Sequence, residues 1–129
     1  VKKFEGFQAH AYGDFKQYSI GYGTRANSPY EVIDQAEAEK RLRAELQVAD
    51  QSVENFAPNA PVGVKQALTS LTYNAGPIWQ RQDLGALIKA GSYEEAKAHF
   101  LQYNHAGGQV NDGLTKRRQA EVQWFDHPL

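Results

Sequence analysis

One apolar run constrains this chain more than any other feature. Leu42, Leu46, Ala49, Val53 and Phe56 recur at steps of three and four residues, which puts them on one stripe of an α-helix. Asp34 stands ahead of the run with Glu37 three residues later, the pattern of an N-terminal capping box. Pro58 and Pro61 end the run and open the next element. The spacing predicts a helix over 34–56, roughly 20 residues and about 30 Å long. It separates a Gly-rich front part from a helical rear part, and a groove between two such lobes is a natural ligand site.

In the front part, Phe4, Phe7 and Ala11 read as a short helix over residues 1–10, with Gly6 limiting its length. Across 12–33, Gly13, Gly21, Gly23, Asn27 and Pro29 punctuate short Tyr- and Ile-rich pieces, which suggests a small hairpin sheet. In the rear part, Val64, Leu68, Leu71 and Ala75 share a face of a helix over 62–75 that stops at Gly76-Pro77. A short helix follows over 83–90 and ends at Gly91. Ser92 with Glu95 reads as a second capping box, opening a helix that carries Ala96, Phe100 and Tyr103. Gly107-Gly108 through Gly113 reads as a loop, and 114–125 as a last helix ending in Trp124-Phe125. The expected class is α+β in one domain, 1–129. It has a small β lobe at about 11–33, the interlobe helix at about 34–56, and a helical lobe at about 57–129 that includes the N-terminal helix.

Composition narrows the function. With 129 residues the chain can bury a core without staples. It has no Cys, which excludes disulfides and thiol catalysis. A net charge of −1 lacks the basic footprint of a nucleic-acid binder. No apolar run is long enough for a transmembrane helix. The chain also has no Met, even at position 1, so it reads as a processed, trimmed or engineered product. Val1-Lys2-Lys3 does not read as a signal peptide, and there is room for an export or anchor segment ahead of Val1. The mainly acidic stretch 31–54 reads as a solvated helix face, whereas Lys116-Arg117-Arg118 forms a short basic run.

Two carboxylates and a hydroxyl fall close together near the N-terminus. Glu5 lies between Phe4 and Phe7, apolar neighbours that raise a carboxyl pKa by desolvation. Asp14, nine residues on in a turn, is expected to be wetter and ionised. Two carboxylates in contrasting surroundings suit an acid and a base, the pair that glycoside hydrolysis needs. Ser19 on the following strand can orient a water between them. Residue by residue, a surface Glu, a turn-forming Asp and a strand-edge Ser explain these positions as well.

The whole string decides between those readings. Glu5-Gly6-Phe7, Ala11-Tyr12-Gly13-Asp14 and Ser19-Ile20-Gly21-Tyr22-Gly23 resemble the phage-type lysozymes, the endolysin muramidases of the T4 lysozyme family (glycoside hydrolase family 24). Ala36-Glu37-Ala38-Glu39 is similar to the opening of that family's interlobe helix, and Gln66 to Gly76 to its central helix. Tyr103, Gly107-Gly108, Gly113-Leu114, Arg117-Arg118 and Glu121 resemble its C-terminal segment.

The resemblance implies a lysozyme-like fold and cleavage of the β-1,4 bond between N-acetylmuramic acid and N-acetylglucosamine in peptidoglycan. It implies Glu5 as catalytic acid, Asp14 as the carboxylate that positions or activates water, and Ser19 where the family usually has Thr. Single displacement with inversion is expected, with the carboxylates roughly 6.5–9.5 Å apart. Three departures stand out. Ser19 keeps the hydroxyl but loses the β-branch that stiffens χ1, the turn after Asp14 is shorter than in the best-known members, and Thr24 stands where many members have His.

Around this centre, Tyr22, Tyr103 and Asn104 are expected to line the groove, since amphipathic aromatics suit sugar faces. Arg117 and Arg118 are expected either to orient Glu5 or to contact acidic substrate groups, the alternative being a pair of solvated charges. Tyr73 and Trp124 read as core. His10, His99, His105 and His127 show no metal-ligand spacing, so neither metal nor cofactor is expected. The expected partner is the peptidoglycan glycan strand, not nucleic acid or membrane, met by a monomer. The expected place of action is the bacterial wall, from the periplasm or outside, with the host cytoplasm before release for a phage endolysin. A lytic transglycosylase and a weakly active wall-binding module are the alternative readings.

Overall fold

The computed structural model describes the backbone of residues 8–13, 18–21 and 24–25, and residues 32–129 in full. The chain divides into two compact units, Val1–Val48 and Ala49–Leu129.

In the first unit, β1 (Gln8–Gly13), β2 (Tyr18–Gly21) and β3 (Thr24–Arg25) form an antiparallel sheet in that order. Tyr12 pairs with Ser19 and Gly13 with Tyr18, while Gln8 pairs with Gly21. The ladder therefore changes register between Gln8 and Tyr12, a bulge in β1. The expected helix over 1–10 is corrected here: residues 8–10 belong to β1, and 1–7 lie outside the described residues. Pairing with β2 supplies backbone partners that a helix interrupted by Gly6 would supply poorly.

Helix α1 (Gln35–Phe56) begins where its capping box predicts. The Glu37 N–H donates to Asp34 Oδ1 at 2.8 Å, satisfying one of the free donors of the first turn. Its stripe is as expected: Leu42, Ala49 and Val53 are buried and Leu46 and Phe56 half-buried, and buried Ala38 extends it towards the N-terminus.

The second unit is helical. From α1 the chain runs through α2 (Val62–Ala75), a 3₁₀ turn (Pro77–Arg81), α3 (Asp83–Ala90) and α4 (Tyr93–Leu101). These elements, with Val122 and Phe125, enclose one core around Val64, Leu68, Leu71, Trp79, Leu84 and Phe100. Trp79 is fully buried and meets Phe56 edge-on at 5.2 Å. Its indole N–H donates to Thr72 Oγ1 at 2.9 Å, and that hydroxyl donates to Leu68 O at 2.7 Å. The polar edge of the largest core residue is therefore satisfied. A Cβ on Gly63 would come within 1.8 Å of the Trp124 carbonyl oxygen, so α2 approaches the chain end as closely as only glycine permits.

Four expectations in this unit are corrected. Ser92 occupies the N-cap position of α4, but its side chain makes no cap hydrogen bond. Its ψ of 65° departs from the β-region geometry that aims an N-cap oxygen at the first turn. Tyr103 lies beyond the end of α4. The expected loop 107–113 forms the turn and second strand of a hairpin, β4 (His105–Ala106) and β5 (Gln109–Val110). Gly107 and Gly108 at φ 60° and 81° form its two-residue turn, both in the left-handed region where Gly-Gly suits a tight hairpin. Helix α5 then runs Asp112–Val122, and Asn111 caps it by accepting from the Leu114 N–H at 3.0 Å. The last helix thus starts two residues earlier than the glycine at 113 suggests, and it tightens to a 3₁₀ turn at Gln123–Phe125.

Candidate functional site

The sequence-predicted site residues fall into two groups. Glu5, Asp14 and Tyr22 lie outside the described residues. Ser19 sits in β2, opposite Tyr12 on one side and Arg25 on the other. Tyr103, Asn104, Arg117 and Arg118 all lie in the second unit, where their surroundings are defined in detail.

Arg117 and Arg118 are buried within α5, at 6% and 0% exposure. A pair of solvated charges is therefore the wrong description. Glu121 follows on the same helix and is itself fully buried. Spacings of four and three residues bring both guanidinium groups to its carboxylate. Arg117 Nε lies 3.3 Å from Glu121 Oε2, and Arg118 Nε lies 2.8 Å from Oε1. Helix α2 completes the cluster. The Ser70 hydroxyl donates to Glu121 Oε2 and stands 3.4 Å from Arg117 Nη2. Arg118 Nη2 donates to Asn74 Oδ1 at 2.7 Å. The Arg118 guanidinium also lies 5.8 Å from the centre of the Phe100 ring, within cation–π range. Held by a carboxylate, an amide and a ring, this guanidinium has a fixed plane.

Asn104 and Tyr103 sit between α4 and α5. Asn104 Nδ2 donates to Thr115 Oγ1 at 3.0 Å, and the Asn104 backbone carbonyl accepts from the Asn111 N–H at 2.8 Å. Both bonds tie the end of α4 to the start of α5. Tyr103 Oη donates to Gln82 Oε1 at 2.5 Å. Partial burial raises the Tyr103 pKa above its ordinary value, and the nearby Asp83 charge adds to the rise. Tyr103 borders two cavities. One of about 440 Å³ is lined by Gln82, Asp83, Leu84, His99, Gln102 and Tyr103. The other, about 300 Å³, is lined by Asn74, Ala75, Gln102, Tyr103, His105 and Leu114.

Ser70, Asn74 and Glu121 were not singled out as site residues from sequence. The spacing of Arg117 and Arg118 from Glu121 is a signal that finds the ion pairs, but nothing local points to Ser70, 51 positions away. Among the described residues there is no group of three or more His, Cys, Asp or Glu side chains able to hold a metal ion.

Fold comparison places the chain in the lysozyme-like class. The muramidase domain of SpmX from Asticaccaulis excentricus superposes with a TM-score of 0.86 at 24% identity, over 98% of this chain and 92% of that one. The endolysin from Escherichia coli O157:H7 phage FAHEc1 superposes with a TM-score of 0.81 at 26% identity, over 99% of this chain and 89% of that one. The phage lysozyme profile matches residues 2–121, and the chain belongs to that family. Among curated relatives, the endolysin of Bacillus phage B103 is 36% identical over 142 aligned positions, covering 97% of this chain and 50% of that protein. The chain spans about half the length of the curated relatives it matches.

Proposed function

We propose that this chain is an endolysin-type muramidase that hydrolyses the β-1,4 bond between N-acetylmuramic acid and N-acetylglucosamine in peptidoglycan. The observation that carries this reading is the family match over residues 2–121, a span that contains every candidate site residue. Glu5 is the general acid that protonates the glycosidic oxygen, Asp14 activates or orients the attacking water, and Ser19 holds that water. The proposed course is inversion in a single displacement. Tyr22, Tyr103 and Asn104 are assigned to glycan binding. For Arg117 and Arg118 the orienting role is preferred to direct sugar contact, because their guanidinium groups are buried and engaged with Glu121. The domain works as a monomer on the bacterial wall. No helix among the described residues is long and apolar enough to cross a membrane.

The deciding experiment is product analysis. Purified peptidoglycan is digested with the protein and with Glu5→Gln, and muropeptide masses and new reducing ends are read. Reducing N-acetylmuramic acid ends that vanish in the variant are expected. Anhydro ends would make the protein a lytic transglycosylase. Intact wall binding without products from the folded protein would make it a binding module.

A further inference from the structure

The cavity between the start of α3 and the end of α4 carries a carboxylate and two side-chain amides that the proposed hydrolysis does not use, beside Tyr103, which it assigns to the glycan. Its volume, about 440 Å³, lies within the range of small-ligand sites. Its lining is polar on both sides. Gln82 and Asp83 come from the head of α3, and His99, Gln102 and Tyr103 from the last turn of α4 and the residues after it. Leu84 adds an apolar surface.

Two features define what would fit. The Tyr103 hydroxyl donates to Gln82 Oε1 at 2.5 Å, which fixes the orientation of that amide and leaves its NH₂ as a directed donor. Asp83 lines the same space as a carboxylate, and it makes no ion pair among the described residues. Its charge already acts on the Tyr103 phenol. The cavity holds one carboxylate, two side-chain amides, a phenol and the His99 imidazole; Asp83 is its one acidic side chain, which suits a ligand with one positive charge on a hydrogen-bonding carrier.

We propose that this cavity is a binding site for a primary ammonium group of peptidoglycan, with Asp83 as counter-ion and Gln82 and Gln102 pairing the polar atoms of its carrier. The proposal rests on the muramidase reading for the choice of polymer. Within that polymer the ammonium has two chemical sources: a glucosamine whose nitrogen carries no acetyl group, and the side-chain amine of an uncross-linked diamino acid in a stem peptide. Acetylation or cross-linking removes the charge from either one. The site would therefore favour wall segments whose amines are free.

The test is binding to the folded protein, read by NMR shifts of backbone amides and by titration calorimetry. The probes are the glucosamine disaccharide and a stem tripeptide ending in lysine, each as the free amine and as the N-acetyl form. A free-amine probe is expected to shift Gln82, Asp83, Gln102 and Tyr103, and to bind roughly three- to fivefold more tightly than its acetylated form, the gain of a partly exposed ion pair. Whichever probe does so identifies the source. Asp83→Asn should bring the amine probe down to the acetylated level, and Asp83→Glu should retain part of the preference. Equal binding of free and acetylated forms, shifts confined to other residues, or an unchanged preference in Asp83→Asn would overturn the proposal. Because these readouts need no turnover, they are independent of the hydrolase reading, which is tested separately by cleavage of fully acetylated, peptide-free glycan.

Discussion

Arg118 Nε lies 2.8 Å from the Glu121 carboxylate, and neither side chain has exposed surface. Burying ions is costly unless each meets a partner, and removing one partner leaves a charge that the interior cannot solvate. Here the carboxylate serves both Arg117 and Arg118 and also accepts from Ser70. Glu121→Ala is therefore expected to destabilise the protein by about 3–5 kcal/mol. Ser70→Ala, which removes one hydrogen bond to a charged group, is expected to cost about 1.5–3 kcal/mol. Urea denaturation of the two variants checks both figures, and a smaller loss for Glu121→Ala than for Ser70→Ala would contradict this account.

Trp79 links packing to polar satisfaction. Trp79→Phe keeps an aromatic ring against Phe56 but loses the indole donor to Thr72 and leaves a small void. The expected loss is about 1–3 kcal/mol. Gly63→Ala is expected to cost at least as much, because its Cβ would overlap the Trp124 backbone carbonyl at 1.8 Å, an overlap that requires the backbone to move. Thermal melts of both variants read this directly.

Tyr103 gives a pH signature. Its pKa is raised above the ordinary 10.0 by burial, and by the charge of Asp83. A raised pKa means that the folded state holds the proton more tightly than the unfolded state. The corresponding stabilisation is complete below the unfolded pKa and is lost as pH rises through the folded value. Ultraviolet titration should show a phenol component, that of Tyr103, ionising later than the ordinary class. That late component should disappear in Tyr103→Phe and move earlier in Asp83→Asn.

The hairpin turn at Gly107-Gly108 should tolerate no ordinary side chain without cost. Gly107→Ala forces a Cβ into the left-handed region at φ 60°, at about 1–2 kcal/mol. Ala86→Gly, at an exposed position inside α3, serves as a control for a purely local backbone effect, with an expected loss of about 1 kcal/mol. Differential scanning fluorimetry of the two variants tests whether the hairpin contributes to the cooperative unit.

For the proposed chemistry, Glu5→Gln should lower wall-lytic activity by on the order of 10²–10⁴-fold, and Asp14→Asn should also be damaging. Ser19→Ala should reduce turnover roughly five- to tenfold, the size of one lost hydrogen bond. Ser19→Thr should equal or exceed the parent, since it restores the β-branch that restricts χ1. Turbidity clearing of wall suspensions, with matched circular dichroism, separates these effects from unfolding. A silent Ser19→Ala would remove the hydroxyl from the mechanism.

Much of the framework was readable from local signals. The apolar stripe and the Asp34–Glu37 cap defined α1, and Gly76-Pro77 ended α2, because helix periodicity, capping and termination are written within a few residues. The same signals misplaced elements where a partner distant in sequence decides the outcome. Residues 8–10 continue the helix-like spacing of Phe4, Phe7 and Ala11 in the sequence, yet their ladder to β2 makes them a strand. The Gly-Gly pair suggests a loop until β4 and β5 are seen to pair across it. Ser92 has the composition of a cap without the backbone angles of one.

The candidate site divides in the same way. Motif order along the chain was sufficient to nominate Glu5, Asp14 and Ser19 and to point to the family. A one-dimensional pattern also contains the approach of Arg117 and Arg118 to Glu121, one helical turn away. What only tertiary structure decided is that this trio is buried against Ser70 and Asn74 of α2, and that Gln82, Asp83 and Tyr103 meet around one cavity. Burial and convergence are properties of packed elements rather than of spacing, so residues dozens of positions apart acquire a common environment only when the helices close on each other.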